Sequence, residues 1–321
     1  MALELCVVIP AFNEEQAIAG TIREYKEEFP TACIVVIDNN STDSTSAAAR
    51  TALNPLTDYL LFERRQGKGL AIKRGLSRRS ADVYIMTDGD LTYPAKEAHR
   101  LLDKLLELRA DMIVGDRVSG GAYDAQNIRI GHSLGNRLLT FVISGLSGQR
   151  YNDVLSGLRI MSRPFVSMLD IRSAGFQLET EVNVIAAQLR ADVVEIPIEY
   201  RQRGEGSESK INTIRDGFRI LYFAVTNWIA FAPMQALGIF ALVAFIVAAG
   251  LGFRVIAGFL NYGFPYTTSA VAAIAAGIAG LLALSTGISL RILGRNDRRR
   301  DIAQFLEAKR NWNVRLDEQN L

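Results

Sequence analysis

The chain has 321 residues, a formal net charge of +2 and two cysteines. This length accommodates one large domain or two smaller ones, with a sizeable hydrophobic core. The near-neutral charge gives no overall basic field, so we expect no nucleic-acid partner. Cys6 and Cys33 lie in apolar runs and are expected to be packed, reduced core residues. Met1 leads directly into an apolar strand, so we expect no cleavable signal peptide.

Short β-branched runs alternate with amphipathic stretches from Leu3 to about Tyr200. This alternation predicts an α/β domain with a mostly parallel sheet and helices on both faces. The candidate strands are Leu5–Ile9, Cys33–Ile37, Tyr59–Phe62, Val83–Thr87, Met112–Val114, Leu158–Met161 and Val193–Ile196. The candidate helices are Glu14–Phe29, Thr45–Thr51, Leu70–Arg79, Ala95–Leu108 and Leu178–Leu189.

Polar clusters follow three of these strands, at the edge where ligands of parallel sheets bind. They are Pro10–Glu14, Asp38–Asp43 and Asp88-Gly89-Asp90. Two carboxylates one residue apart are suited to holding Mg²⁺ or Mn²⁺ against a diphosphate. A plain polar turn is the alternative, because Asp-Gly is a common turn dipeptide. Three clusters on one edge favour a site.

Two familiar phosphate-binding signatures are missing or incomplete. No Gly-x-Gly-x-x-Gly follows the first strand, which disfavours a dinucleotide-dependent oxidoreductase. Gly67-Lys68-Gly69 lacks the upstream Gly and the following Ser or Thr of a Walker motif.

Two C-terminal segments, about 234–254 and 269–290, are long and apolar enough to cross a bilayer. A soluble helical hairpin is the alternative. Arginines flank the pair on the outer sides, whereas the turn between the segments carries none. By the positive-inside rule, we expect a multi-pass protein of the cell membrane with both termini in the cytoplasm.

The chain is therefore divided into four regions. Residues 1–210 form the cytoplasmic domain, and residues 211–232 form an interfacial amphipathic helix region, for which a helix packed on the soluble domain is the alternative. Residues 233–292 contain the two transmembrane helices, and residues 293–321 form a cytoplasmic basic tail.

A set of motifs resembles the inverting family-two glycosyltransferases with the GT-A fold, over residues 3 to about 220. The set comprises Val8–Glu14, Ile37–Asp43, Gly67-Lys68-Gly69 and Asp88-Gly89-Asp90. Later motifs resemble the polyprenyl-phosphate branch, the dolichyl-phosphate mannose and glucose synthases: Gly115-Asp116-Arg117, Ser156–Arg159, Gly175–Glu179, Glu195–Ile198, Arg203 and Ser209-Lys210. The chain departs from the pattern at Thr92, where many relatives have Gln, and at Asp38-Asn39-Asn40, where Asp-Asp-Gly is common.

The resemblance implies roles for individual residues. Asp90 would ligate the cation, and Asp88 would contact the sugar or the metal. Arg117 and Arg129 would bind the acceptor phosphate. The nucleotide sugar would be bound by Pro10, Ala11, Asn13, Glu14, Asp38, Asn40, Lys68, Asp88, Glu179, Arg203 and Lys210. For Glu14 and the cations, helix capping or a plain surface position is the alternative reading.

Sugar transfer to a polyprenyl phosphate requires no general base. The acceptor is a phosphomonoester with a second pKa of about 6, so it is already largely dianionic at neutral pH. The expected protein is a membrane-anchored, metal-dependent transferase of one sugar from a nucleoside-diphosphate donor to polyprenyl phosphate. A UDP-sugar is favoured, and GDP-mannose is the alternative donor. A processive polysaccharide synthase, an inactive nucleotide-sugar-binding scaffold, and assembly into a homo-oligomer are left open.

Overall fold

The computed structural model describes residues 3–119, 140, 144, 151–175, 177–202, 233–264 and 266–319. The chain forms two compact units. The first comprises Met1–Tyr222 together with Asp301–Leu321, and the second comprises Phe223–Arg300. The predicted interfacial helix at 211–232 lies outside the described residues and stays a prediction.

The first unit alternates strands and helices in the order that the sequence predicts. Its strands are β1 (Leu5–Ala11), β2 (Cys33–Asp38), β3 (Tyr59–Phe62), β4 (Val83–Met86), β5 (Met112–Asp116), β6 (Arg159–Ser162) and β7 (Val193–Pro197). Its helices are α1 (Ile18–Glu28), α2 (Thr45–Ala52), α3 (Lys68–Leu76), α4 (Ala95–Leu108), α5 (Arg163–Ser167) and α6 (Leu178–Leu189). The short helix α5 was not predicted; Ser162 caps it by accepting a hydrogen bond from the Phe165 amide, and Pro164 lies in its first turn.

The seven strands form one sheet in the order β3-β2-β1-β4-β6-β5-β7. Strand β6 runs antiparallel to β4 and to β5, and the other pairs are parallel. The prediction of a mostly parallel sheet is therefore confirmed. Because β1, β2 and β4 are parallel neighbours, the segments that follow Ala11, Asp38 and Met86 all leave the same edge of the sheet.

Each face of the sheet carries its own core cluster. Along β1, Val7 and Ile9 join one cluster with α1 and α4, whereas Cys6 and Val8 join the other with α3 and α6. Both faces of the central strands are buried, so these strands read as continuous apolar runs. Cys6 and Cys33 are register partners on β1 and β2, and both are buried free thiols, as expected.

The last part of the chain belongs to the first unit and packs against its sheet. Helix α8 (Thr267–Gln319) ends with a stretch in which Phe305, Trp312 and Leu316 are buried in the two core clusters. Lys309 pairs with Asp111 at 2.7 Å and with Asp192 at 2.6 Å. These aspartates precede β5 and β7, so this stretch covers the amino edge of the sheet, opposite the polar clusters. From the sequence, residues 293–321 are expected to form a basic tail. This segment packs against the sheet because Phe305, Trp312 and Leu316 are apolar and join the core clusters.

The second unit contains helix α7 (Pro233–Tyr262) and the first part of α8. Both are long and apolar enough to cross a membrane by length and composition. The helices approach closely at Gly280, where an added Cβ would lie 2.8 Å from the ring of Phe245. Arg254 stacks 5.0 Å from the centre of the Tyr266 ring, beside the turn between the helices.

Candidate active site

The acidic pair lies in a tight loop directly after β4. Asp90 is 3% exposed, and its Oδ1 accepts hydrogen bonds from the Thr92 hydroxyl at 2.6 Å and the Thr92 amide at 3.2 Å. Thr92 therefore orients the Asp90 carboxylate. Such a contact fixes the side chain of Asp90 before any ligand arrives.

Leu91, between these two residues, has a backbone φ of 62°. This left-handed conformation costs an L-residue other than glycine about 1–2 kcal/mol. The side chain of Leu91 lies close to Gly20 of α1, where an added Cβ would be 3.0 Å from Leu91 Cδ1. Packing of Leu91 against α1 thus offsets a strained turn that directs Asp90 toward the edge of the sheet.

Lys68, the first residue of α3, bridges two carboxylates. Its Nζ lies 2.6 Å from Asp88 Oδ1 and 2.7 Å from Glu179 Oε1. Burial opposes the charged form of Lys68, but Asp88 and Glu179 outweigh burial and raise the pKa of Lys68 above its usual value. The predicted site residues Lys68, Asp88 and Glu179 are therefore brought together.

The glycines that flank Lys68 approach the protein's own backbone. A Cβ on Gly67 would collide with the carbonyl of Ala174, and a Cβ on Gly69 would collide with the carbonyl of Ser173. Gly67 also has a φ of 148°, which L side chains rarely adopt. The Gly69 amide donates to the Ala174 carbonyl at 2.9 Å. This close contact fixes the start of α3 and hence the position of Lys68.

Glu181 holds the segment on the other side of that contact. Its Oε1 accepts from the Arg172 amide at 2.8 Å, and its Oε2 accepts from the Ser173 amide at 2.9 Å. Both carboxylate oxygens of Glu181 accept hydrogen bonds from backbone amides. Glu181 therefore stabilises the segment at Ser173 and Ala174, which Gly69 contacts.

Asn39 is a site-building residue that sequence reasoning did not select. Its Nδ2 donates to the carbonyls of Glu63 at 3.3 Å and Arg65 at 2.8 Å, and its Oδ1 accepts from the Gly67 amide at 2.6 Å. An aspartate at this position would lack the two donors. The amide of Asn39 therefore holds the loop that leads into Lys68.

The two polar clusters after β1 and β2 are joined to each other. Asn13 Oδ1 accepts from the Thr42 amide at 2.8 Å, and the Glu14 amide donates to Thr45 Oγ1 at 2.8 Å. Asp38 is buried, and its carboxylate accepts from the Ser41 amide at 2.8 Å and from the Ser46 hydroxyl. Asn13 and Asn40 adopt left-handed conformations that asparagine tolerates. Pro10 and Ala11 are the last residues of β1 and lie at the same edge of the sheet. Contact with a nucleotide sugar stays a prediction for all six residues that are expected to make it here: Pro10, Ala11, Asn13, Glu14, Asp38 and Asn40.

Arg117 forms a two-point ion pair with a buried aspartate. Its Nε lies 2.7 Å from Asp153 Oδ2, and its Nη2 lies 2.9 Å from Asp153 Oδ1. The guanidinium also lies 5.5 Å from the centre of the Tyr200 ring. Asp153 and Tyr200 were not selected from the sequence, because nothing local marks them as partners of Arg117. The predicted acceptor-phosphate role of Arg117 stays a prediction, while Arg129, Arg203 and Lys210 lie outside the described residues.

The described residues contain no cluster of three or more His, Cys, Asp or Glu side chains with metal-binding geometry. Asp88 and Asp90 lie one residue apart on the loop after β4, and each carries a carboxylate. Mg²⁺ and Mn²⁺ are commonly held by one or two carboxylates together with substrate phosphates. These residues therefore fit a divalent cation that shares its ligands with a bound diphosphate.

Solved structures identify the fold class. The glucosyl-3-phosphoglycerate synthase of Mycobacterium tuberculosis, crystallised with Mn²⁺, UDP-glucose and phosphoglyceric acid, superposes with a TM-score of 0.57. The match covers 71% of this chain and 80% of that chain at 18% sequence identity. The first unit therefore has a GT-A fold.

The sequence comparisons identify the family. Residues 6–167 match the family model described as glycosyl transferase family 2, and the chain belongs to that family. It is 34% identical to glycosyltransferase AglJ of Haloferax volcanii over 66% of this chain and 68% of that protein. It is 28% identical to a dolichyl-phosphate hexose transferase of the same organism, over 68% of this chain and 90% of the relative. The expected resemblance to the polyprenyl-phosphate branch is confirmed.

Proposed function

We propose that this chain transfers one sugar from a nucleoside-diphosphate sugar, preferably a UDP-sugar, to polyprenyl phosphate at the cytoplasmic face of the membrane. The observation that carries the proposal is the bridge from Asp88 through Lys68 to Glu179, beside Asp90 at the carboxyl edge of the sheet. The similarity to a dolichyl-phosphate hexose transferase and the presence of two long apolar helices support a lipid-linked acceptor.

The reaction needs no proton to be removed from the nucleophile. A phosphate oxygen of the acceptor forms a bond to the anomeric carbon in line with the departing nucleoside diphosphate, whose oxygen keeps the electron pair of the broken bond. Because the acceptor phosphate is largely dianionic at neutral pH, Glu179 is assigned to orienting Lys68. The protein's task is to align two anionic groups and to offset their repulsion.

Asp88 and Asp90 would hold Mg²⁺ or Mn²⁺ against the diphosphate. The cation would supply neutralisation of the negative charge that develops on the leaving nucleotide. The Lys68 ammonium, which lies between Asp88 and Glu179, offsets the negative charge of these two carboxylates at the same edge. Arg117, Arg129, Arg203 and Lys210 are proposed to contact the phosphates of the two substrates, because positively charged side chains form charge-assisted hydrogen bonds with phosphate oxygens.

The test is transfer by the purified full chain, with undecaprenyl phosphate or dolichyl phosphate as acceptor and a panel of UDP- and GDP-sugars as donors. We expect a lipid-linked sugar phosphate, detected by mass spectrometry, and loss of turnover in Asp90→Asn with Mn²⁺ or Mg²⁺ in excess. Asp103→Asn, a matched change on the exposed side of α4, should leave turnover unchanged. Polymeric product would indicate a processive synthase, and binding of nucleotide sugar without transfer to any acceptor would indicate a scaffold.

A further inference from the structure

Arg159, the first residue of β6, is a buried arginine for which the described residues supply no carboxylate within ion-pair distance. Its side chain is 0% exposed. Nε donates to the Ser156 carbonyl at 3.1 Å, Nη2 donates to the Val154 carbonyl at 3.0 Å, and Nη1 donates to Asn183 Oδ1 at 2.6 Å. Burial lowers the pKa of the Arg159 guanidinium. Burying an ion costs several kcal/mol unless hydrogen bonds offset the loss of water. These three hydrogen bonds, a further contact of Nη1 with Met112 Sδ at 3.6 Å, and attraction from the Glu179 and Asp153 carboxylates together stabilise the buried charge.

Two of the hydrogen bonds from Arg159 reach one short turn, residues 154–157. Asn183 of α6, which is also buried, donates from Nδ2 to the Val154 carbonyl at 3.1 Å. Arg159, Asn183 and the Val154 carbonyl therefore form a closed triangle of hydrogen bonds. With the Ser156 carbonyl also bound to Arg159, the turn is fixed at two of its carbonyl groups.

Gly157, in the same turn, lies against Asp88. The Gly157 amide donates to the buried Tyr93 hydroxyl at 2.8 Å. A Cβ added at Gly157 would lie 2.6 Å from Asp88 Oδ2, so the backbone of the turn and the carboxylate are in direct contact. Asp88 is thus confined between Gly157 on one side and the Lys68 ammonium on the other.

We propose that Arg159 is a positioning residue for Asp88: by fixing the carbonyls of Val154 and Ser156, it sets where Gly157 meets the Asp88 carboxylate. The inference rests on the function proposed above. Arg159 touches no substrate in this scheme and acts through the turn. A shift of about 1 Å in a reacting group can lower a rate on the order of 100-fold, so a small movement of this turn has a kinetic consequence.

The first test is Arg159→Lys, with donor kinetics measured at saturating acceptor. The variant keeps the charge, but a single ammonium cannot reproduce the planar fork that serves four acceptors. We expect the turnover number to fall about ten-fold or more while the donor KM changes less than about three-fold. Arg172→Lys, a change at an arginine whose side chain is 82% exposed, is the matched control and should retain the wild-type values.

Tyr93→Phe is the second variant, and it releases the turn from the Gly157 side. It decides the question if Arg159→Lys fails to fold, as judged by thermal unfolding and gel filtration. The same kinetic signature is expected, whereas wild-type turnover in a folded Tyr93→Phe variant would overturn the proposal. Wild-type turnover in folded Arg159→Lys, or a donor KM that rises as far as turnover falls, would do the same. Sugar transfer by the wild-type chain is measured in parallel. If the wild-type chain transfers no sugar, the proposed function fails and the positioning role fails with it; if it does transfer sugar, the variants test the positioning role alone.

Discussion

Gly157→Ala is the sharpest single perturbation of the acidic pair, because one methyl group would meet the Asp88 carboxylate directly. The added Cβ would lie 2.6 Å from Asp88 Oδ2 and 3.0 Å from Asp88 Cγ. Ordinary van der Waals contact begins at 3.4 Å, so Oδ2 has to move by about 0.8 Å. Asp88 Oδ1 is 2.6 Å from Lys68 Nζ, and a movement of that size disturbs this ion pair as well.

The expected result is a large kinetic loss with a small loss of stability. A misplacement approaching 1 Å lowers turnover by about 10- to 100-fold. Overpacking of one methyl group costs about 1–3 kcal/mol of unfolding free energy, which a stable domain survives. The assay is sugar transfer at saturating donor and acceptor, combined with thermal unfolding of the same preparation.

The control is Gly277→Ala in α8, where an added Cβ would have no atom within 4 Å. That variant should keep wild-type turnover. Wild-type turnover in a folded Gly157→Ala variant would refute the reasoning, because the carboxylate could then move without consequence. A loss of turnover that matches the unfolded fraction would equally show that the methyl group acts on folding alone.

Three further predictions test separate parts of the structure. Asn39→Asp removes both donors to the Glu63 and Arg65 carbonyls, so the unfolding free energy measured in urea should fall by about 1–3 kcal/mol. Asn40→Asp, at an exposed neighbouring position, should lower it much less, and equal effects would contradict a structural role of the Asn39 amide. Trp312→Ala should lower the unfolding free energy by about 3–5 kcal/mol, and Val314→Ala, at an exposed position, should change it by less than about 0.5 kcal/mol. An unchanged unfolding free energy in Trp312→Ala would mean that the end of α8 does not pack on the sheet. Gly263→Cys, in the turn between α7 and α8, should react with an impermeant thiol reagent from the side opposite the cytoplasm, and labelling from the cytoplasmic side would contradict a two-span topology.

The sheet and its ligand-binding edge follow from local sequence patterns. Each of the seven predicted strands is present, with bounds that agree to within two residues at either end. Strands buried on both faces are marked by continuous apolar runs, and the residues that follow them necessarily leave the same edge when the strands are parallel. This is why Asp88 and Asp90 could be selected from the sequence alone.

The partners within the site could not be predicted, because they come from distant parts of the chain. Gly67 and Gly69 indicate a close backbone approach, but the sequence does not state that the approaching group is the segment at Ser173 and Ala174. The pairing of Lys68 with Glu179, and of Arg117 with Asp153, is likewise set by the tertiary fold. Side-chain contacts of this kind depend on the sheet order, which one sequence constrains weakly.

The sequence contains an apolar pattern that predicts packing of the C-terminal segment, but the many charged residues nearby make this pattern hard to recognise. Phe305, Trp312 and Leu316 recur at spacings of seven and four residues, which places them on one face of a helix. The arginines between Arg291 and Arg300 dominate the composition of this region and favour the reading of a solvated tail. The helical period of the apolar residues, taken by itself, predicts a buried face.

Lys68→Met tests whether the bridge between Asp88 and Glu179 is a charged pair. Removal of the ammonium leaves Glu179, whose side chain is 4% exposed, without its cation, and breaking such a buried pair costs about 3–5 kcal/mol. Because the pKa of Lys68 is raised in the folded protein, its contribution to stability is fully present below the unfolded-state pKa of about 10.4 and declines as pH rises toward the folded-state pKa. The stability difference between wild type and Lys68→Met should therefore be constant from about pH 7 to 9 and shrink above about pH 10.4, measured by urea unfolding. Lys73→Met, on the exposed side of the same helix, should cost less than about 1 kcal/mol at neutral pH. A difference that stays constant up to pH 11.5 would show that Lys68 stabilises this edge by packing, and that its charge is not what holds Asp88 and Glu179 together.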